Sequence, residues 1–295
     1  GAKTLIEVLD DTKSAMGARM LRRWLALPLK NEKQISERHN IVQQMLDDDK
    51  LSGVLSEEIA RIGDLERLIS KVATLRINPR ECGRLKDALI SLKPIQEICS
   101  ASGKDLQKLT SKINTCGKIK ERIESELSDN PPLLLHKGNV MKEGVNAELD
   151  ELRSIQNSGK EYLNKMLARE IERTGITSLK ISFNNVFGYY LEVRNRFKDQ
   201  VPEEWIRKQT LVSAERYITE ELKEYEHKIL SAEGRISEIE NRLFTELVQS
   251  IAEYIQEIQL NAFIVSQLDC LLSFSSIAKK NNYAKPNVNN SSDLL

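Results

Sequence analysis

Apolar residues recur at three- and four-residue spacing over most of the first 130 residues, and this pattern predicts a body of α-helices. Polar residues that are typical N-caps stand just before four of these runs: Ser14, Asn31, Asp64 and Asn78. Pro79 follows the last of them, at the first helical position. The apolar positions between 106 and 127 predict one further helix, and Asp-Asn-Pro-Pro at 129–132 ends the body.

From residue 144 the pattern predicts two long helices joined by an insert. The outgoing helix reaches about Arg173. The returning helix has Ser213 as its predicted N-cap and a nearly heptad series of Ile, Leu and Tyr from Ile218 to Ile258, a length of about 60 Å. The apolar side of so long a helix needs a partner, and the preceding helix is the nearest candidate, so an antiparallel pair is expected.

The insert is the strand-like part of the chain. Apolar residues alternate at 179, 181 and 183 and again at 189, 191 and 193, and residues 205–211 supply a third predicted strand. The predicted fold is therefore mainly α: a helical body and two long antiparallel helices that carry a small antiparallel β domain at the tip. Its predicted segments are residues 1–175, 176–212 and 213–295.

Composition narrows the class of protein. Gly (13), Pro (7) and aromatic residues (5%) are too scarce for an all-β sandwich or barrel. Equal numbers of acidic and basic residues, 44 each, exclude a uniformly basic nucleic-acid binder but allow a local basic patch. An apolar run of about 18 residues is missing, so no membrane contact is expected. The four cysteines form no C-x-x-C pair and are expected to be thiols in a reducing cytoplasm, with no metal site.

Charge is distributed unevenly along the long helices and the insert. Residues 176–219 hold seven basic and five acidic residues, a net charge of +2, whereas residues 220–260 hold ten Glu and four Lys or Arg, a net charge of −6. A polyanion would avoid the returning helix and meet the insert, which offers cationic, amide and hydroxyl side chains for phosphate. These candidate phosphate contacts are Asn184, Asn185, Arg207, Lys208, Gln209, Thr210 and Ser213. The alternative is that these charges only keep an exposed sheet hydrated.

Catalytic motifs are missing from the sequence. It contains no phosphate-binding G-x-x-x-x-G-K-[ST], no G-x-G-x-x-G, no G-x-S-x-G and no H-E-x-x-H, and its three histidines stand far apart. No catalytic residue and no cofactor is predicted.

Several strings resemble MutS-type DNA mismatch repair proteins. Residues 16–25 (MGARMLRRWL) and 144–153 (GVNAELDELR) resemble the lever region of that family. The more specific strings, FNNVFGYY at 183–190, RKQTL at 207–211 and AERY at 214–217, resemble its clamp segment. The resemblance covers nearly the whole chain in the family's order.

The resemblance implies a function that the residue pattern alone does not give. In this family two subunits close their clamps around double-stranded DNA, touching its backbone without reading sequence, and lever helices connect the clamps to an ATPase domain. The chain is then expected to be a non-catalytic core, with ATP and Mg²⁺ bound elsewhere in the parent protein. A second copy and downstream mismatch repair proteins are the expected partners, and the cytoplasm is the expected location. Val212 stands where a polar or basic residue would suit DNA contact.

One alternative of another class stays open. The Ile and Leu series between 218 and 258 could pair with another protein, which would make the chain a helical coiled-coil scaffold without DNA binding.

Overall fold

The computed structural model describes residues 4–289 and divides the chain into two compact units. The first unit comprises residues 1–142 and 244–295, and the second comprises residues 143–243. Helices dominate the chain, and the second unit adds one four-stranded antiparallel sheet. The predicted fold class is therefore confirmed.

The described part of the first unit is helical apart from one isolated β-bridge between Leu127 and Met141. Its helices are α1 (Leu5–Leu9), α2 (Ala15–Ala26), α3 (Glu32–Asp47), α4 (Asp49–Ile62), α5 (Leu65–Ala73), α6 (Pro79–Ser100), α7 (Lys104–Thr110), α8 (Gly117–Glu126) and α11 (Ile255–Asn281).

All four predicted N-caps are confirmed. The Ser14 hydroxyl accepts from the Gly17 amide at 3.0 Å, and the side chains of Asn31 and Asp64 cap α3 and α5 in the same way. Asn78 forms a complete capping box with Glu81: each side chain accepts from the other residue's backbone N–H. A polar residue ahead of an apolar run therefore located these helix starts correctly.

Helix α11 is the core of the first unit. It packs against α2, α3, α4 and α5, and it is apolar and long enough to cross a membrane. Yet 67% of its most apolar window is buried within the protein, as is usual for a core helix. Its few buried polar groups fasten loops to it: the Asp269 carboxylate accepts from the Lys13 and Ser14 amides at 2.7 and 2.8 Å, and Asn261 exchanges hydrogen bonds with the Asn114 backbone.

One predicted helix of this unit is wrong. The stretch from 106 to 127 contains two helices, α7 and α8, and not one; Ile113 lies in the loop between them and Leu127 follows α8. Residues 111–116 leave the helical path, and Cys116 is left-handed with φ of +49°. The Asn261 side chain, hydrogen bonded to Asn114, holds this loop and so overrides the local helical period.

The second unit contains the sheet and two long helices. Its elements are α9 (Ala147–Thr174), β1 (Lys180–Asn184), β2 (Gly188–Arg194), β3 (Ile206–Thr210), β4 (Ala214–Ile218) and α10 (Glu220–Ala252), the last of which continues into the first unit from Phe244.

Helices α9 and α10 run antiparallel, as predicted. The contacts between them show this direction, because a later residue of α9 meets an earlier residue of α10. Arg153 donates to Glu240 at 2.6 Å, and Arg169 donates to Glu221 at 2.6 Å. Between them the rings of Tyr162 and Tyr225 stack with centroids 3.7 Å apart. The pair is therefore fastened by both ring contact and charge.

The start of the returning helix differs from its prediction. Ser213 is not an N-cap, because residues 214–218 form a fourth strand, β4, and α10 begins at Glu220. The Thr219 hydroxyl accepts from the Leu222 amide at 3.1 Å in the position of a cap. The strand-forming segment therefore extends to Ile218, beyond the predicted boundary at residue 212.

The predicted series from Ile218 to Ile258 is also not one helix. Helix α10 ends at Ala252 and α11 starts at Ile255, so the series crosses a break at residues 253–254. Its members within α10 face the protein interior: Leu222, Ile229, Ala232, Ile236 and Ile239 are all buried.

Candidate nucleic-acid interface

The strand order β1-β2-β4-β3 fixes where every candidate residue lies. All neighbouring strands are antiparallel, and Leu191 of β2 stands opposite Tyr217 of β4. The two hairpin turns, at residues 185–187 and 211–213, therefore lie at opposite ends of the sheet. We call these the Val186 end and the Val212 end.

One face of the sheet builds the core of the second unit. Leu191 and Val193 of β2 and Tyr217 of β4 pack with residues of α9 and α10 in a buried cluster. Trp205, just before β3, joins it with its ring centroid 6.0 Å from that of Tyr217. This core attaches the sheet to the helix pair and positions both of its ends.

The opposite face is organised around one arginine. The Arg216 guanidinium donates to Gln209 Oε1 at 2.8 Å and to Glu192 at 3.4 Å, and it lies 4.4 Å from the centre of the Tyr190 ring. Gln209, a predicted phosphate contact, is thus already engaged in a cross-strand pair.

The Val212 end is a turn held by backbone and amide hydrogen bonds. The Leu211 amide donates to the Ala214 carbonyl at 2.8 Å. Asn195, which follows β2, donates its own N–H to the Ser213 carbonyl at 3.1 Å and its side-chain amide to the Val212 carbonyl at 2.9 Å. The turn is fixed in this way while Val212 itself is fully exposed.

Arg207 and Lys208 differ in how free their charges are. Arg207 makes an ion pair with Glu215 at 3.3 Å, and the hydrogen bond that Tyr217 donates to Glu215 holds the pKa of this carboxyl below its usual value. Lys208 is the extra residue of a β-bulge in edge strand β3, is exposed, and makes no ion pair with any residue in the described range 4–289. Lys208 is therefore the less compensated of the two cations.

The Val186 end is fastened to helix α10. The Glu226 carboxylate accepts from the Tyr189 amide and pairs with Lys223 at 3.0 Å, and Lys223 also donates to the Phe187 carbonyl at 2.9 Å. Gly188 has φ of +76°, and a Cβ there would lie 2.1 Å from the Glu226 carboxylate, so this position requires glycine. The turn amide of Val186 is bonded to Asn184 Oδ1 at 2.7 Å.

The structure therefore separates the predicted site residues into two groups. Arg207, Lys208, Gln209, Thr210 and Ser213 lie on β3 and the Val212 turn, whereas Asn184 and Asn185 lie at the Val186 end. The seven residues of β2 span the distance between the two ends, and six steps along a strand correspond to about 20 Å. Asn184 and Asn185 therefore do not lie beside the other candidates, because β4 and not β3 pairs with β2.

Sequence reasoning left three residues of the Val212 end out of the site. Arg194 stands opposite Ala214 at the start of this turn, Lys198 follows in a short 3₁₀ segment, and Asn195 holds the turn. Within residues 4–289 neither Arg194 nor Lys198 makes an ion pair. Their position was hidden because it depends on β2 and β4 pairing across twenty residues of sequence.

Metal-ligating side chains do not gather at the sheet. Over residues 4–289 no three His, Cys, Asp or Glu side chains lie close enough together to hold a metal ion. All four cysteines are buried and unpaired, and burial raises the pKa of the Cys82 and Cys99 thiols to about 12.

Comparison with known proteins identifies the family of this chain. The sequence profile described as MutS domain III matches residues 1–275. A protein named DNA mismatch repair protein MutS from Bacteroides fragilis is 54% identical over 287 residues, which is 97% of this chain and 33% of that protein. The MutS of Parabacteroides distasonis is 53% identical over 99% of this chain and 34% of its own length. The chain spans about a third of the length of these curated relatives, and it belongs to the MutS domain III family.

Proposed function

We propose that this chain is the core of a DNA mismatch repair protein and that its sheet holds duplex DNA through backbone contacts at the Val212 end. The main support is that cationic and hydroxyl side chains lie together at this end and that three of the cations have no ion-pair partner in the described residues. Arg194, Lys198 and Lys208 are exposed and make no ion pair within residues 4–289, and Thr210 and Ser213 add exposed hydroxyls.

These groups suit contact with phosphate oxygens. Lys, Arg and hydroxyl side chains are the usual partners of phosphate oxygens, and such contacts position a protein without specifying sequence. Arg207 contributes less than Lys208, because it must give up its ion pair with Glu215 before it can bind phosphate fully. With so few phosphates neutralised, binding is weak and its dependence on salt is shallow.

Val212 limits the contact at the most exposed position of the turn. Its side chain is fully exposed and apolar, so it neutralises no phosphate. The fixed turn still presents the neighbouring Ser213 hydroxyl, and Lys208 stands on the adjoining strand.

Helices α9 and α10 would then transmit movement to the sheet. The stacked tyrosines and the Arg153–Glu240 and Arg169–Glu221 pairs make the two helices one element, and the buried cluster fixes the sheet to it. In the longer parent protein this element would couple DNA binding to ATP and Mg²⁺ bound elsewhere. A coupling free energy of about 1–3 kcal/mol is typical of such linkage. A second copy and downstream repair proteins complete the proposed assembly.

The scaffold alternative loses support from burial. Leu222, Ile229 and Ile236 lie on the face of α10 that a partner helix would need, and all three are buried in the single chain. Pairing with another protein through this face would require the second unit to open.

A salt titration of DNA binding tests the proposal. Fluorescence anisotropy of a labelled duplex is measured with the chain and with Lys208→Ala between 50 and 200 mM salt. Each phosphate contact is expected to contribute a slope of about 0.9 in the logarithmic plot, a loss of about 3.5-fold over this range, so Lys208→Ala lowers the slope by about one. Lys165→Ala, an exposed lysine on α9 without an ion pair in the described range, is the matched control and should leave the slope unchanged.

The same titration separates the two ends of the sheet. Asn184→Ala with Asn185→Ala removes the predicted contacts at the Val186 end, and we expect affinity to stay within twofold of the parent chain, about 0.4 kcal/mol. An equal effect of Lys208→Ala and Lys165→Ala would contradict the assignment of the Val212 end. Tighter binding to a mismatched duplex than to a matched one would contradict backbone contact without base reading.

A further inference from the structure

A second strongly charged surface lies in the first unit, along helix α6. Two neighbouring hollows, of about 380 and 570 Å³, share Arg84 and Asp87. The smaller lies between α6 and residues 127–131, and the larger lies between α6, α5 and the end of α4. We call the two together the α6 groove.

The carboxylates of the α6 groove are already neutralised. Glu81 pairs with Lys71, and Asp87 pairs with Lys86 at 3.4 Å. Of the acidic residues farther along the groove, Asp64 pairs with Arg19 at 2.7 Å, and Asp129 pairs with a lysine outside it. The acidic groups therefore offer little attraction to a passing cation.

Three arginines of the same groove are left without a salt-bridge partner. Arg67, Arg80 and Arg84 are exposed and make no ion pair within residues 4–289. Arg80 lies in the first turn of α6, where the helix dipole disfavours a cation, so its position does not stabilise the helix. Arg67 and Arg84 are near enough to Asp64 and Glu81 to help lower the pKa of those carboxyls, but neither is within ion-pair distance, so the α6 groove is a positive surface.

We propose that the α6 groove binds an extended acidic peptide segment of a partner protein. Arg80 and Arg84 are one helical turn apart, about 6 Å along the axis. Carboxylates on alternate residues of an extended chain are about 6.6 Å apart, so two of them can meet these two guanidiniums together. Arg67, across the larger hollow, can meet a further carboxylate of the same segment, and guanidinium–carboxylate pairs are the geometry that arginine favours.

Size and layout favour a peptide over other anions. A rigid duplex cannot enter hollows of 380 and 570 Å³, which fall in the range of about 300–1,000 Å³ for small-ligand sites. A single phosphate or pyrophosphate needs donors that converge on one point. Here the arginines are spread over two hollows, with Arg84 between them.

A peptide-binding experiment on the full chain tests this assignment. The probe is a fluorescent peptide of a few Glu-Ala repeats, and its control is the same peptide with Gln in place of Glu. The Glu peptide is expected to bind, and Arg80→Gln with Arg84→Gln is expected to weaken it about tenfold or more through the loss of two charge-assisted partners. These arginines are exposed and unpaired within the described range, so circular dichroism should show an unchanged fold.

Two matched variants control for non-specific attraction. Arg22→Gln with Arg23→Gln removes two exposed arginines of α2 that also lack ion pairs within residues 4–289, and peptide affinity should not change. Lys208→Ala should not change it either, which separates this surface from the proposed DNA contact.

Three outcomes would overturn the proposal. Equal binding of the Glu and Gln peptides would remove the carboxylate requirement, and equal losses in the α6 and α2 variants would show non-specific attraction to positive charge. Inorganic pyrophosphate that binds more tightly than the Glu peptide, and loses that binding in the Arg80 and Arg84 variant, would reassign the groove to phosphate ligands.

Discussion

Replacing Gly159 by alanine tests how closely helices α9 and α10 approach each other. A Cβ at this position would lie 2.7 Å from Cγ1 and 3.1 Å from Cδ1 of Ile229, whose side chain is fully buried. Carbon atoms in contact are normally about 3.5–4.0 Å apart, so the two helices would have to separate by up to about 1 Å. Gly234, on α10, is the matched control, because a Cβ added there would meet no atom within 4 Å in the described part of the chain.

The expected magnitudes follow from two opposing effects. Alanine in place of glycine inside a helix stabilises it by about 0.5–1 kcal/mol, and this gain applies to both sites. Overpacking a buried contact costs about 1–3 kcal/mol, and this cost applies at Gly159 alone. Gly234→Ala should therefore raise the free energy of unfolding. The free energy of unfolding of Gly159→Ala should be about 1–3 kcal/mol lower than that of Gly234→Ala.

The assay must report on the second unit by itself, because a chain of two units need not unfold in one step. The protein has two tryptophans, of which Trp205 belongs to the second unit. Urea unfolding is therefore followed by tryptophan fluorescence in a Trp24→Phe background. A double variant with Ile229→Ala removes both clashing atoms, and in that background Gly159→Ala should no longer be unfavourable.

One result would refute this reasoning. If Gly159→Ala stabilises the second unit as much as Gly234→Ala does, the helices have space at this level. The contact between Gly159 and Ile229 would then not set their separation.

Two further predictions concern buried polar groups. Gly17→Ala should destabilise the first unit by about 3 kcal/mol, because its Cβ would lie 2.0 Å from Asp269 Oδ2 and displace the carboxylate from its buried N–H donors. Urea unfolding followed by Trp24 fluorescence in a Trp205→Phe background measures this change, and an unchanged midpoint would contradict it. Burial and the hydrogen bond to Glu215 raise the pKa of Tyr217 to about 12, so the folded state holds this proton more tightly than the unfolded chain, with a pKa of about 10. Stability should be intact below pH 10 and fall between about pH 10 and 12, and Tyr217→Phe should lessen that fall; an identical pH profile in the variant would count against it.

The local sequence pattern was sufficient to predict features that depend only on residues close in sequence. Ser14, Asn31, Asp64 and Asn78 cap helices because each side chain reaches an amide three residues later, a relation that the sequence states directly. The alternation at 189, 191 and 193 likewise predicts β2, since Leu191 and Val193 face one core.

The local sequence pattern gave wrong predictions where pairing with residues distant in sequence determines the structure. Ser213 followed by Glu215 resembles the start of a helix, but pairing with β2 and β3 makes residues 214–218 a strand. The positions of the two turns depend on that same pairing. Asn184 and Ser213 therefore read as neighbours in a small tip, although they lie at opposite ends of the sheet.

The two ends of the sheet are attached differently, and this difference favours the Val212 end over the Val186 end for the proposed contact with DNA. At the Val186 end, Glu226 and Lys223 of α10 hold the turn through backbone groups, so this end moves with the helix. At the Val212 end, Asn195 and backbone hydrogen bonds hold the turn, and Arg194, Lys198 and Lys208 make no ion pair within the described range. Because β2 runs the full distance between the ends and β4 leads from the Val212 turn to the start of α10, a force on that turn is carried along two paired strands to α10. The Val212 end, where we propose that DNA binds, and helix α10 are therefore connected by two hydrogen-bonded strands.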